Sequence, residues 1–322
     1  MYVANKGLGK ALALHIGVIA GFFILQFIVP PFHAAMLTRI MVLATYAIGY
    51  NILLGYTGLM SLGHAMFFAT GLYAAGLSVI YYGLPPLEAL PLAILLSAVM
   101  SATMGAITLR TSGVFFLIVT MIFSQVFFLT TLYFNMITGG EEGLVLTRYL
   151  KPISLGLFSV ELTDSVVKYN FALIIFSIAF LFSLWLTRSP VGRVLIAIRE
   201  NDERAEMLGY NIYKYKLLAF TMSGTISGMA GAAYALVFAY IGSALASILY
   251  SINPLLWTLL GGAGTTIGPI IGTGLMIYII DFTSGITSSY LIVVGITLML
   301  LVLAFPPGIV GAIKRRWIRW LP

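Results

Sequence analysis

The sequence predicts an all-α protein, a polytopic bundle of membrane-spanning helices, on three observations. Of 322 residues, 61% are hydrophobic and only 8% are charged, where soluble domains sit nearer half apolar and about a quarter charged. The apolar residues gather into runs close to the ~20 needed to cross about 30 Å of hydrocarbon. Charge is concentrated in short segments between those runs, above all Arg188–Lys216. No stretch is polar enough to form a soluble domain, so 1–322 reads as a single transmembrane domain.

Ten candidate spans follow in order: 11–29, 36–54, 64–82, 89–109, 114–135, 169–187, 217–240, 248–260, 267–282 and 289–305. The first begins after Lys6 and Lys10 and ends in Val29-Pro30-Pro31 without a small-x-small cleavage pattern, so it reads as a retained helix rather than a signal peptide. The eighth is short and carries Asn253-Pro254. Parity supports it. With ten spans, Lys6/Lys10, Arg110, the 188–216 loop and the tail Lys314, Arg315, Arg316 and Arg319 share one side, as the excess of Lys and Arg on cytoplasmic loops requires. Both termini are then expected in the cytoplasm and the 136–168 loop outside. Trp317 and Trp320 fit an interfacial anchor beside the basic tail. The basic excess is thus a topology signal and not a nucleic-acid footprint.

The Arg188–Lys216 segment cannot lie in hydrocarbon, where each central charge costs about 2.5–3.5 kcal/mol. It is not shapeless. Pro190 suits a helix start, Val194–Leu208 reads as one helix, and Gly209 suits its stop. Ile198, Ala205 and Leu208 fall near one face. A short amphipathic helix across the mouth of a bundle is a docking element for a soluble partner. The alternative is a helix resting on lipid headgroups, which its acids Glu200, Asp202, Glu203 and Glu206 weaken.

Three glycine-rich stretches interrupt the apolar runs. Gly55, Thr57, Gly58, Ser61, Gly63 and His64 form the first, which permits either a tight turn or irregular backbone at membrane depth. The latter is tolerated only where protein buries it or it lines a water-filled cavity, and transporters bind substrate beside such interrupted helices. Thr138, Gly139 and Gly140 open the second, followed by Glu141 and Glu142, read as solvated acids or as contacts for an external protein. Gly262, Gly264 and Thr265 lie in the third, Leu260–Pro269. It lacks the Gly-Lys-Ser/Thr ending of a phosphate loop and reads as a break between helices. The first and third look alike, yet no convincing repeat supports a common origin.

These stretches carry a family resemblance. GRVLIAIRENDERAEMLGYNIYKYKLLAF resembles the cytoplasmic coupling segment of the LivM-type permease subunits of branched-chain amino-acid ABC importers, through Gly192, Arg193, Ala197, Ile198, Arg199, Glu200, Asn201, Ala205, Leu208, Gly209, Tyr215, Lys216, Ala219 and Phe220. GYTGLMSLGHAMFFATGLYAAG, the Thr-Gly-Gly-x-x-Gly stretch at 138–143, the Gly-Gly-x-Gly-Thr-x-x-Gly-Pro turn at 261–269 and Phe305-Pro306-Pro307-Gly308, with its closing Pro-x-Gly, are similar to motifs of the same family, in the same order. Glu141-Glu142 departs from the small or amide residues usual there.

The resemblance implies a permease without its own ATPase, and no cofactor in this chain. ATP would be bound by two partner ATPases that contact Ile198, Arg199, Glu200, Asn201, Glu203, Ala205, Leu208 and Gly209. It further implies a second homologous permease, an external solute-binding protein and a place in the inner or plasma membrane.

Catalysis has no foothold in the sequence. His15, His33 and His64 are too scattered for metal-ligand spacing. With no cysteine, thiolate sites and disulfides are excluded. Asn51, Thr120, Ser124, Gln125 and Ser227 read as polar residues that satisfy one another across helices, and Asp281 as an interfacial acid. Two other classes remain: a stand-alone secondary transporter, which would need intramembrane charges to couple ions, and a channel. The substrate stays open between branched-chain amino acids, urea and short amides.

Overall fold

A computed structural model describes residues 8–155, 158–287 and 289–316. Lys6, Trp317, Arg319 and Trp320 lie outside the described residues. The helices are α1 (Leu8–Ile28), α2 (Pro31–Thr57), α3 (His64–Tyr82), α4 (Pro86–Thr108), α5 (Gly113–Tyr133), α6 (Asn135–Thr138), α7 (Ser165–Arg188), α8 (Pro190–Glu200), α9 (Asp202–Met207), α10 (Ile212–Phe238), α11 (Ile248–Gly261), α12 (Gly268–Ser284), α13 (Tyr290–Ala304) and α14 (Ile309–Arg316). Two small antiparallel ribbons complete it: β1 (Leu144–Val145) pairs with β4 (Tyr240–Ile241), and β2 (Ile153–Leu155) with β3 (Phe158–Val160).

Each of the ten apolar runs forms a helix. Among the described residues six, α1 to α5 and α7, are long and apolar enough to cross a membrane. The eighth, α11, has 14 residues and is therefore about 21 Å long, too short to cross alone. It starts beside the first turn of α3, where Ser251 Oγ accepts the Ala65 N–H at 2.8 Å. The ribbon β1–β4 and a 3-10 turn (Ser243–Ala246) lead into it. The eighth run is thus a partial helix preceded by irregular chain, and not a span by itself.

The centre of the bundle is α10, packed against α2, α3 and α4. Its sequence explains why. Lipid gives helices no hydrophobic reason to associate, so small residues that let backbones approach carry the contact. Gly224, Gly228 and Gly231 line α10, and a Cβ on Gly228 would stand 2.0 Å from Ser97 Oγ, one on Gly231 1.8 Å from Phe68 O. From the other side, a Cβ on Gly71 of α3 would stand 1.9 Å from Gly228 O. Large apolar side chains on α1, α4, α5 and α13 remain exposed, as expected of surfaces facing lipid or a partner subunit.

The caps follow from sequence. Asp164 accepts the Val166 N–H ahead of α7, Ser189 the Gly192 N–H ahead of α8, and Asn211 the Lys214 N–H ahead of α10.

Gly71→Val should force α3 from α10 and cost at least about 1–3 kcal/mol, seen as a lower melting temperature in detergent. Gly21→Val, at a site with nothing within 4 Å, should melt like the parent. Equal melting of the two would contradict the α3–α10 packing.

Candidate functional site

The charged segment folds differently from the expected single helix 194–208. It forms two helices, α8 and α9, broken at Asn201, whose backbone is extended (φ −165°, ψ 111°). The Asn201 side chain accepts the Arg204 N–H at 2.8 Å and so caps α9. Gly209, at φ 88°, ends the segment as expected.

The face of Ile198 and Ala205 is not left for a partner. Ile198 is 2% exposed and Ala205 1%, packed with Val194 against Ile212 and Tyr215 of α10. Leu208, expected on the same face, is 74% exposed, and Met207 beside it is 79% exposed. The reason is the break at Asn201, which resets the helical phase and turns the end of α9 outward. Lys216 and Asp202 pair across the α9–α10 corner. Glu200, Glu203 and Glu206 stay exposed, and with Asp202 they line a cavity of about 980 Å3 between this segment, Thr57–Leu59 and the 109–113 turn.

Arg199 joins this segment to both glycine-rich breaks. Its Nη1 donates to Gly55 O at 2.5 Å. A Cβ on Gly264 would lie 2.6 Å from the same Nη1, and one on Gly58 3.3 Å from the Arg199 Cγ. The breaks also hold each other. Asn51 Nδ2 donates to Thr265 O at 3.0 Å and Asn51 Oδ1 accepts the Gly264 N–H at 2.9 Å. Thr265 Oγ1 in turn donates to Gly262 O (2.7 Å) and accepts from the Gly268 N–H (3.1 Å). The closing Pro307-Gly308 packs here too, for a Cβ on Gly308 would be 2.3 Å from Gly262 Cα.

The first break is irregular backbone, with Gly58 and Met60 exposed and Ser61, Gly63 and His64 buried. α2 ends at Gly58, in the left-handed region at φ 74°, and the chain then runs back along α2. Tyr50 donates to Ser61 O at 2.9 Å, and His64 Nε2 meets Ser223 Oγ at 2.8 Å, which itself donates to Gly49 O at 2.6 Å. Gly49 lies about 12 Å back from the end of α2 by helical rise. Hydroxyls serve the non-helical N–H groups: Thr57 for Leu59, Ser61 for Gly63 and Thr120 for Leu62. Gly63 itself has an ordinary φ of −99°, but a Cβ there would sit 2.9 Å from Thr120 O.

The Thr138–Gly140 stretch lies at the opposite end. Thr138 Oγ1 donates to Thr131 O at 2.6 Å, Gly139 and Gly140 take φ 78° and 54°, and Gly140 O accepts the Ser243 N–H at 3.3 Å. With the Leu144–Ile241 pairing, this loop is tied to the chain entering α11. Glu141 and Glu142 are exposed.

The model for the branched-chain amino acid transport system / permease component family matches residues 32–304. The chain belongs to this permease family. Among similar proteins, the permease is 28% identical to the high-affinity branched-chain amino acid transport system permease protein LivM of Salmonella typhimurium, over 84% of this chain and 68% of that one. It is 27% identical to the probable LivM of Methanocaldococcus jannaschii, over 73% and 75%, and 24% identical to BraD of Pseudomonas aeruginosa, over 83% and 91%. No solved structure matches the permease.

Sequence reasoning missed several residues of the permease. The expected helix 194–208 runs through Asn201, which instead caps α9 ahead of Asp202 and Glu203 in its first turn. Ser223 and Ser251, which bond His64 and the Ala65 N–H, have no local signal that separates them from other small residues. Arg39, a cation within the second run, is exposed on α2.

Three substitutions test this geometry. Gly58→Val should cost about 1–2 kcal/mol for its left-handed backbone. Asn51→Leu should cost at least about 1–3 kcal/mol, since Gly264 N–H and Thr265 C=O lose their buried partner. Ala205→Trp should lower the melting temperature of the isolated permease, because that site is filled from within; a variant that melts like the parent would contradict the packing.

Proposed function

We propose that the chain works as one permease subunit of an ATP-driven importer and forms part of the translocation path for branched-chain amino acids. The family match over residues 32–304 carries this reading, and the convergence of α8 with two helix breaks supports it. The subunit carries no catalytic role: ATP would be hydrolysed by two partner ATPases, with a second permease and an external solute-binding protein completing the assembly. The α8–α9 segment faces the cytoplasm with both termini, and the 136–168 loop faces outward, in the inner or plasma membrane.

In this mechanism the ATPases grip the exposed Met207 and Leu208, with Glu203 and Glu206 fixing orientation at the rim, where charge sets specificity more than affinity. Closure of the ATPases displaces α8. Because Arg199 holds Gly55 O and abuts Gly264, that displacement reaches the α2–α3 and α11–α12 breaks together and biases the bundle between inward- and outward-open states. An ion-coupled carrier is less well supported, since no Asp, Glu, Lys or Arg is among the described buried residues.

Leu208→Asp combined with Met207→Asp should leave melting unchanged while abolishing leucine uptake and transport-stimulated ATP hydrolysis. Uptake at the parental rate, with the ATPase bound, would move the coupling role elsewhere. Isoleucine, valine, urea and a short amide as competitors identify the substrate class.

The absence of native cysteine permits a clean orientation test. A membrane-impermeant maleimide applied to intact cells should label Thr147→Cys and leave Glu206→Cys unlabelled; the opposite pattern would invert the topology.

A further inference from the structure

A second cavity, of about 660 Å3, opens on the other side of Arg199, lined by Arg199, Leu259, Ala263, Gly264, Thr265, Pro306, Pro307, Gly311 and Lys314. Two cations from distant parts of the chain, on α8 and α14, share it, and among the described residues no carboxylate lines it. Neither takes part in the ion pair found among the described residues, which joins Lys216 to Asp202. Arg199 commits Nη1 to Gly55 O, and a guanidinium has five N–H donors. Lys314 offers three more.

Arg199 is exposed and also borders the acidic first cavity, whereas Lys314 is half-buried; an anion in the second cavity would offset the repulsion between these two like charges. Burial holds the Lys314 ammonium below its ordinary pKa, and Arg188 and Arg199 push it further in the same direction. The backbone leaves room for a ligand. Gly264, at φ 77°, lines the cavity without a side chain, where a Cβ would collide with the Arg199 guanidinium.

We propose that this cavity binds a phosphate-class anion, supplied either by an anionic lipid headgroup or by free phosphate. Planar guanidinium and ammonium groups converging on one space are the usual means of holding a phosphate. The surroundings suit a lipid source as well. The rim at Pro306–Pro307 directly follows α13, whose Ile296, Leu300 and Leu303 are exposed, so acyl chains seated along α13 bring a headgroup to the cavity. Basic pockets between helices at the membrane surface hold anionic headgroups by the same electrostatics.

The test uses the full chain in a zwitterionic detergent. Inorganic phosphate, phosphatidylglycerol and phosphatidylcholine are titrated separately, read by melting temperature, with native mass spectrometry counting retained lipids. Parent protein should be stabilised saturably by phosphatidylglycerol or phosphate and not by phosphatidylcholine. Lys314→Gln should weaken this at least about tenfold, the worth of one charge-assisted hydrogen bond, while Lys314→Arg retains it. Stabilisation by phosphatidylglycerol alone identifies a lipid site, and stabilisation by inorganic phosphate a soluble-anion site; both support the proposal. Equal response of the parent and Lys314→Gln overturns it. So does the absence of any anion effect, including the case where Lys314→Gln loosens only the ATPase, which would assign the cations to an acidic surface of that partner.

Discussion

The structure depends on a close approach of two backbones that only glycine permits. Where α2 ends, Gly55 faces Gly264 with Asn51 between them: a Cβ on Gly55 would lie 2.1 Å from Asn51 Oδ1 and 2.6 Å from Gly264 N. One carboxamide then satisfies a donor and an acceptor of the facing loop. In a low-dielectric interior such bonds are stronger than in water, and leaving one unmade is correspondingly costly. That contact sets where α11 ends and α12 begins, and it fixes the surface on which Arg199 rests. Helix breaks, charged segment and closing Pro-Gly turn are therefore one structural unit.

Hydroxyls carry much of the remaining burden. Buried non-helical backbone needs its polar groups paired with protein or water. In 58–63 the partners are Thr57, Ser61 and Thr120, short side chains that reach a neighbouring N–H without a charge. At the α3–α10 contact the same economy appears as glycine against backbone. Neither device asks for a bulky or charged group, which is why so central a helix as α10 has an unremarkable composition.

Hydropathy made most helices legible, because the bilayer imposes one length and one polarity on every crossing. Ten runs became ten helices, six of them among the described residues long and apolar enough to cross a membrane, and at the eighth length alone could not tell a span from a partial helix. The charged segment was legible as a segment but not in its shape. Apolar spacing through Ile198 and Ala205 shows that a face will be covered, and it does not say by what. Ile212 and Tyr215, from the same chain, are the cover. Asn201 was ambiguous for a related reason: a capping residue inside a long helical pattern looks like an ordinary helix position until the backbone is seen to break. That residues 51–58 and 262–265 meet is tertiary information with no local signature, even though each stretch stood out alone.

The pairing of early with late residues bears on how the protein is made. Asn51 bonds to a residue 214 positions downstream, and His64 to one 159 downstream. Chains are synthesised at about 5–20 residues per second, so Asn51 waits roughly 10–40 s, by that rate, before its partner exists. During that interval α2 and α3 sit in the membrane with a carboxamide and an imidazole lacking their final partners. Until α10 and the 261–268 turn arrive, biogenesis has to shelter those groups, by water, by the insertion machinery or by transient contacts between early helices. The last third of the chain therefore completes the first, and a nascent chain stalled before α10 is a natural target for membrane quality control.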